Sequence, residues 1–174
     1  MSYSEPFNVD EGAFTLTGAP DIAWNATEGN PTGCIESVHA SFPAQGGGTM
    51  TNGSISEVVA AGNVFSFNWR ADITALSFQG DMITVQISYD EGGGNTETIQ
   101  QPGGTGDTGW QTYSYTVLGP DDGKTVGSIQ IGTLNVWISG EGTIYIDNVY
   151  VGTAPASPYD YTRNAGGIPG AVMI

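Results

Sequence analysis

His39 is the only histidine and Cys34 the only cysteine in this chain of 174 residues, which limits the chemistry open to it. A hydrolytic triad needs a histidine beside an exposed nucleophile and a third group to orient it. No Gly-x-Ser-x-Gly turn accompanies His39, so it is read as a structural strand histidine. The lone cysteine precludes an intrachain disulfide and a thiolate zinc site. The 18 acidic residues offer many carboxylate pairs, yet nothing in their spacing selects a pair at the separation that glycoside hydrolysis requires. Gly104, Gly106 and Gly109 spell G-x-G-x-x-G, a dinucleotide fingerprint only where a helix N-terminus follows. Residues 110–117 alternate like a strand instead, so the glycines are read as a hairpin loop. Arg70 falls on the polar face of a strand and is expected to be solvated or salt-bridged rather than a ligand clamp. No catalytic residue is assigned, and the chain is expected not to be an enzyme.

A divalent cation is a fairer prospect. Asp147 interrupts the apolar run Ile144-Tyr145-Ile146, and a carboxylate buried there needs a partner. Asp10 or Glu11 could add the further oxygen ligands of a structural calcium site. The reading favoured over the metal is that Asp147 accepts backbone N–H groups at a bulge.

The elements that must position these residues are strands. Periodicity of 2 dominates: in residues 63–73, Phe65, Phe67, Trp69, Ala71 and Ile73 share one face, and Ser66, Asn68, Arg70 and Asp72 the other. Residues 82–90 and 111–117 repeat the pattern. Residues 126–139 change phase near Gly132-Thr133, which fits a bulge or a bend between sheets. Residues 143–151 form the last strong strand. Weaker strands are read at 13–17, 23–27, 34–41 and 96–100, separated by Gly-rich turns. About eight or nine short strands of this kind predict an all-β, antiparallel β-sandwich of the jelly-roll type. The sandwich is placed at residues 1–152, and a Pro/Gly-rich arm at 153–174. The first residues, 1–7, are read as a second extended arm.

Charge narrows the partners. The net charge is −15, although only 12% of residues are charged, against about 25% in an average domain. A chain short of Lys and Arg has no basic patch for nucleic acid and no attraction to an anionic membrane. No run approaches the roughly 18 apolar residues of a membrane span. Residues 1–7 show neither a basic nor an apolar signal-peptide region, which predicts synthesis in a host cytoplasm without secretion.

Three stretches carry a family likeness. Asp10-Glu11-Gly12-Ala13-Phe14-Thr15-Leu16-Thr17-Gly18, with Trp24 and Glu28-Gly29-Asn30-Pro31-Thr32-Gly33 after it, resembles the opening of laminin-B-type and related galactose-binding-like domains. Ile144-Tyr145-Ile146-Asp147-Asn148-Val149-Tyr150-Val151 resembles the final strand of carbohydrate-binding modules in the same jelly-roll superfamily. Asp107-Thr108-Gly109-Trp110-Gln111-Thr112-Tyr113 is similar to an internal strand start of those modules. The likeness spans residues 8 to 152 and implies the fold; the superfamily, found also in phage virion proteins, hosts many binding and structural roles.

Modules that grip polysaccharides stack aromatic rings on sugar faces. The polar faces read above (Ser66, Asn68, Arg70; Thr84, Gln86, Ser88; Thr112, Ser114, Thr116) offer no such platform, which leaves Trp24, Trp110 and Trp137 as the glycan-contact candidates. The favoured expectation is therefore a structural subunit that decorates or cements the outer surface of a phage capsid. Its partners would be the major capsid protein and itself, as a dimer or trimer. Its C-terminal arm would dock through Ile168, Val172, Met173 and Ile174. The alternative is a carbohydrate-binding module or adhesin domain that meets surface glycans.

Overall fold

The computed structural model describes residues 2–18, 22–29, 32–39, 48–76, 81–100, 103–133 and 140–154. Among these described residues, thirteen strands form two antiparallel sheets. They are β1 (Tyr3–Glu5), β2 (Thr15–Thr17), β3 (Ile22–Asn25), β4 (Cys34–His39), β5 (Thr49–Asn52), β6 (Glu57–Val58) and β7 (Asn63–Leu76). After them come β8 (Asp81–Tyr89), β9 (Gly94–Gln100), β10 (Gly106–Asp107), β11 (Gln111–Thr116), β12 (Thr125–Thr133) and β13 (Gly140–Thr153). The first sheet runs β10-β7-β13-β4-β3, with β11 continuing along the β10 edge of β7 and β1 along the β4 side of β13. The second runs β2-β5-β12-β8-β9, with β6 beside β12.

Alternation determines which side chains meet. Phe65, Phe67, Ala71 and Ile73 of β7, with Ile144 and Ile146 of β13, point inward against Met50, Val85, Ile87, Ile129 and Ile131 of the second sheet. Tyr113 of β11 lies opposite Phe67 and packs on it at 5.0 Å between ring centroids. Burying each such large side chain is worth about 1.5–3 kcal/mol, so two apolar faces meeting is what drives the sandwich together.

The expected jelly-roll sandwich is the observed architecture, and the strong strands lie where periodicity places them. The strand count is higher because β1, β5, β6 and β10 are short or mostly polar. Residues 2–7 do not form a free arm. Tyr3, Ser4 and Glu5 pair with Val151, Tyr150 and Val149 of the same chain, and Phe7 is fully buried. An aromatic side chain has more to gain in its own core than in water. The pairing of Gly132 and Thr133 with β8 is regular, and the shift in β12 falls earlier, between Val126 and Ser128. Residues 134–139, where the changed phase is read, lie outside the described residues, as do residues 155–174 and with them Ile168, Val172, Met173 and Ile174.

Candidate functional site

The outer face of the first sheet carries a cluster of aromatic and charged side chains around Arg70. Since Ile144 and Ile146 point into the core, Tyr145 between them must point out. In register beside it stand Arg70 of β7 on one side and Glu36 of β4 on the other. The Arg70 guanidinium lies over the Tyr145 ring, 5.2 Å from its centroid, within cation–π range. Trp110, just ahead of β11, comes within 6.4 Å of the same ring, centroid to centroid, at an interplanar angle of 55°. Both rings are half-buried.

Two turns hold the polar groups around these rings. Between β10 and β11, three residues (Thr108, Gly109, Trp110) span what two residues span on β7, a bulge. Thr108 donates its N–H to the Ala71 carbonyl at 2.9 Å, and its Oγ1 accepts the Ala71 N–H at 2.9 Å. Gly109 supplies a φ of 63° that ordinary residues avoid. The result is that Trp110 turns to the outer face. Asp107 accepts the Gly109 N–H at 2.8 Å and clamps Arg70 through Nε at 3.0 Å and the terminal nitrogen at 2.7 Å. Between β3 and β4, Asn25 Oδ1 accepts N–H bonds from Thr27 and Glu28 at 2.8 and 3.1 Å. That turn sets Glu28 2.9 Å from the other terminal nitrogen of Arg70. Asn25 also donates from Nδ2 to Glu36 at 2.5 Å, so one amide organises both carboxylates.

The electrostatics follow. Hydrogen bonds from Arg70 and then from Gly109 hold the Asp107 carboxyl below the usual aspartate range. Asp107, aided by Glu28, raises the guanidinium further, so the pair is ionised at any physiological pH. Burial, then Glu36 and Glu28, push the Tyr145 phenol up, keeping it a neutral hydroxyl.

The residues singled out in the sequence separate. Trp110 belongs to this face. Trp24 does not: it packs on the core, and its indole N–H donates to the Phe7 carbonyl at 2.7 Å, which ties down the N-terminal strand. Trp137 lies outside the described residues. Asp10 and Glu11 are exposed in the β1–β2 loop, where Asp10 accepts the Gly12 N–H at 2.9 Å. Asp147 is wholly buried and accepts the Asn148 N–H at 2.7 Å, at a register shift where Asn148 adopts a φ of 52°. Among the described residues no three His, Cys, Asp or Glu side chains converge as a metal site would require, so Asp10, Glu11 and Asp147 are not brought together. The Asn148 N–H bond is of the kind the bulge reading expects. His39 is buried, with Nε2 3.1 Å from Ser37 Oγ, and Cys34 is a buried thiol that burial pushes up to about 12. Arg70 forms salt bridges to Glu28 and Asp107. The glycines at 104–109 do not form the expected hairpin loop, since they lie between β9 of the second sheet and β11 of the first, with Gly106 itself in β10.

Sequence reasoning misses the aromatic pair, because Tyr145 reads as part of an apolar run. Its odd parity between two inward isoleucines is the available signal. The three stretches that carry the family likeness supply Glu28, Asp107, Trp110 and Tyr145, and they meet around Arg70.

No family profile and no curated protein sequence matches the chain. Solved structures do share its fold. The K1 cleaved adhesin domain of Lys-gingipain from Porphyromonas gingivalis W83 matches with a TM-score of 0.52 and 11% identity, over 89% of this chain and 99% of that one. A non-crystalline-cellulose-specific carbohydrate-binding module, CBM28, matches with a TM-score of 0.51 and 13% identity, over 80% of this chain and 88% of that one. An arabinose-bound α-L-arabinofuranosidase, MgGH51, matches with a TM-score of 0.52 and 13% identity over 81% of this chain, which corresponds to 23% of the larger enzyme. The chain therefore shares its two-sheet jelly-roll fold with that adhesin domain and that carbohydrate-binding module.

Proposed function

We propose that the protein is a carbohydrate-binding or adhesin domain that holds a glycan on the outer face of its first sheet. The observation that carries this reading is the Trp110–Tyr145 pair, two half-buried rings 6.4 Å apart within a rim of hydrogen-bonding groups. Apolar sugar faces stack on such rings, while Glu28, Glu36 and Asp107 accept hydrogen bonds from ring hydroxyls. The similarity in fold to a carbohydrate-binding module and an adhesin domain supports it.

Capsid decoration has less support. One of its two arms is folded into the domain, and the other lies outside the described residues. The test is retention on a glycan array together with affinity gel electrophoresis in soluble polysaccharides. Wild-type protein is expected to be retained by at least one glycan. Trp110→Ala and Tyr145→Ala should each weaken that retention roughly tenfold, the equivalent of about 1.4 kcal/mol. Absence of retention at millimolar glycan, or full retention by both variants, would refute the assignment.

A further inference from the structure

We infer that this face selects neutral glycans and rejects those built from uronic acids, a deduction that rests on the glycan-binding reading above. A site for carboxylated sugars needs a cation with donors to spare, ideally an arginine able to form two parallel bonds. Arg70 is the described cation on this face, and three of its five N–H donors are already committed to carboxylates that also offset its charge. Nε and one terminal nitrogen are spent on Asp107, and the other terminal nitrogen on Glu28. One flank of the guanidinium is closed by the Tyr145 ring.

The surrounding charge points the same way. Glu36 stands in register beyond Tyr145, and Asp72 stands next to Asp107 on the neighbouring row. Four carboxyl groups thus face one guanidinium. The other cation among the described residues, Lys124, is paired with Asp121 at 2.8 Å near the start of β12. An incoming uronate would meet like charge on every side, which is the arrangement that suppresses wrong partners. A neutral sugar meets acceptors for its hydroxyls instead, because Glu28 spends one carboxylate oxygen on Arg70 and Glu36 one on Asn25.

In this arrangement Arg70 is a positioning residue: it holds Glu28 and Asp107 at either side of the aromatic pair. The experiment is an array holding neutral gluco-, galacto-, xylo- and manno-oligosaccharides beside oligogalacturonates, oligoglucuronates and alginate oligomers. Binding confined to neutral oligosaccharides, changing less than about twofold between 50 and 500 mM NaCl, is the expected result. Uronate binding that is lost in Trp110→Ala would overturn the selectivity while leaving the glycan-binding face intact. Binding to neither class would overturn the glycan reading itself and the selectivity with it.

A gain-of-function variant gives an independent readout. Glu28→Gln combined with Asp107→Asn releases the guanidinium, and uronate affinity should rise at least tenfold in a variant whose thermal melt stays cooperative. Should that variant fail to fold, Glu36→Gln, which leaves the Arg70 clamp untouched, should reduce repulsion and raise weak uronate binding severalfold. No gain in a folded variant would overturn the inference.

Discussion

At the scale of single residues, Trp24 and Trp110 do different work, and substitution should separate them. Trp24 donates to the Phe7 carbonyl, whose other near neighbour is Gly33. Trp24→Phe keeps most of the packing and leaves that part-buried carbonyl without its donor, so it should cost about 1–2 kcal/mol. Urea denaturation should show the loss as a lower midpoint at unchanged slope, with glycan retention unaffected. Trp110→Ala should do the reverse. The Arg70–Asp107 clamp also has a defined pH response. A carboxyl held below its unfolded value contributes fully above that value, about 3.9 for aspartate, and loses its contribution as pH falls through the lower folded value. With the Arg70 cation strengthened rather than weakened, both partners stay ionised from pH 5 to 8. Glycan retention should therefore be flat over that range, and a fall between pH 7 and 5 would mean that another titrating group controls the face.

At the scale of elements, the turns rather than the strands determine where the functional groups stand. Gly33 closes the β3–β4 turn through its N–H on the Glu28 carbonyl, adopts a φ of +103°, and would place a Cβ 2.3 Å from the Phe7 carbonyl oxygen. Gly33→Ala combines backbone strain with a clash against main chain that cannot rotate away, and should cost about 2–4 kcal/mol. Gly53→Ala, where a Cβ meets nothing within 4 Å, should leave the melting temperature within a degree or so and serves as the control; equal melting shifts for the two would contradict this account. The same contrast explains what is legible in the sequence. Strong alternation in β7, β8 and β13 is printed there, because inward Phe, Ile and Val alternate with polar types. Strand β5 (Thr-Met-Thr-Asn) buries Met50 and Asn52, and a buried asparagine satisfied by Tyr3 at 2.9 Å leaves no apolar period to find. The face around Arg70 is harder still. Its members come from β3, the β3–β4 turn, β4, β7, β10, the bulge ahead of β11 and β13, and only the cross-strand register makes them neighbours.

At the scale of the whole molecule, the register also locates the charge. The outer face of the second sheet is a neutral lattice, with Thr15, Thr51, Gln130, Gln86 and Thr96 in one row across five strands. The first sheet's outer face carries Glu36, Asp72 and Arg70, so the −15 is not confined to turns and tails. Two salt effects then compete. Added salt weakens the exposed ion pairs of Arg70 and Lys124, each worth about 0–1 kcal/mol. It also screens the mutual repulsion of an excess of 15 negative charges, a long-range force that opposes the compact state. The Debye length falls from about 30 Å at 0.01 M to 3 Å at 1 M, so at low salt the repulsion acts across most of the domain, whereas each pair acts only on its partner. Repulsion therefore outweighs the pairs. The melting temperature should rise by roughly 2–4 °C between 10 and 500 mM NaCl, equivalent to about 1 kcal/mol at this size. Differential scanning calorimetry in the two buffers measures it, and a fall would show that the clamp around Arg70 outweighs the repulsion of all the other carboxylates together.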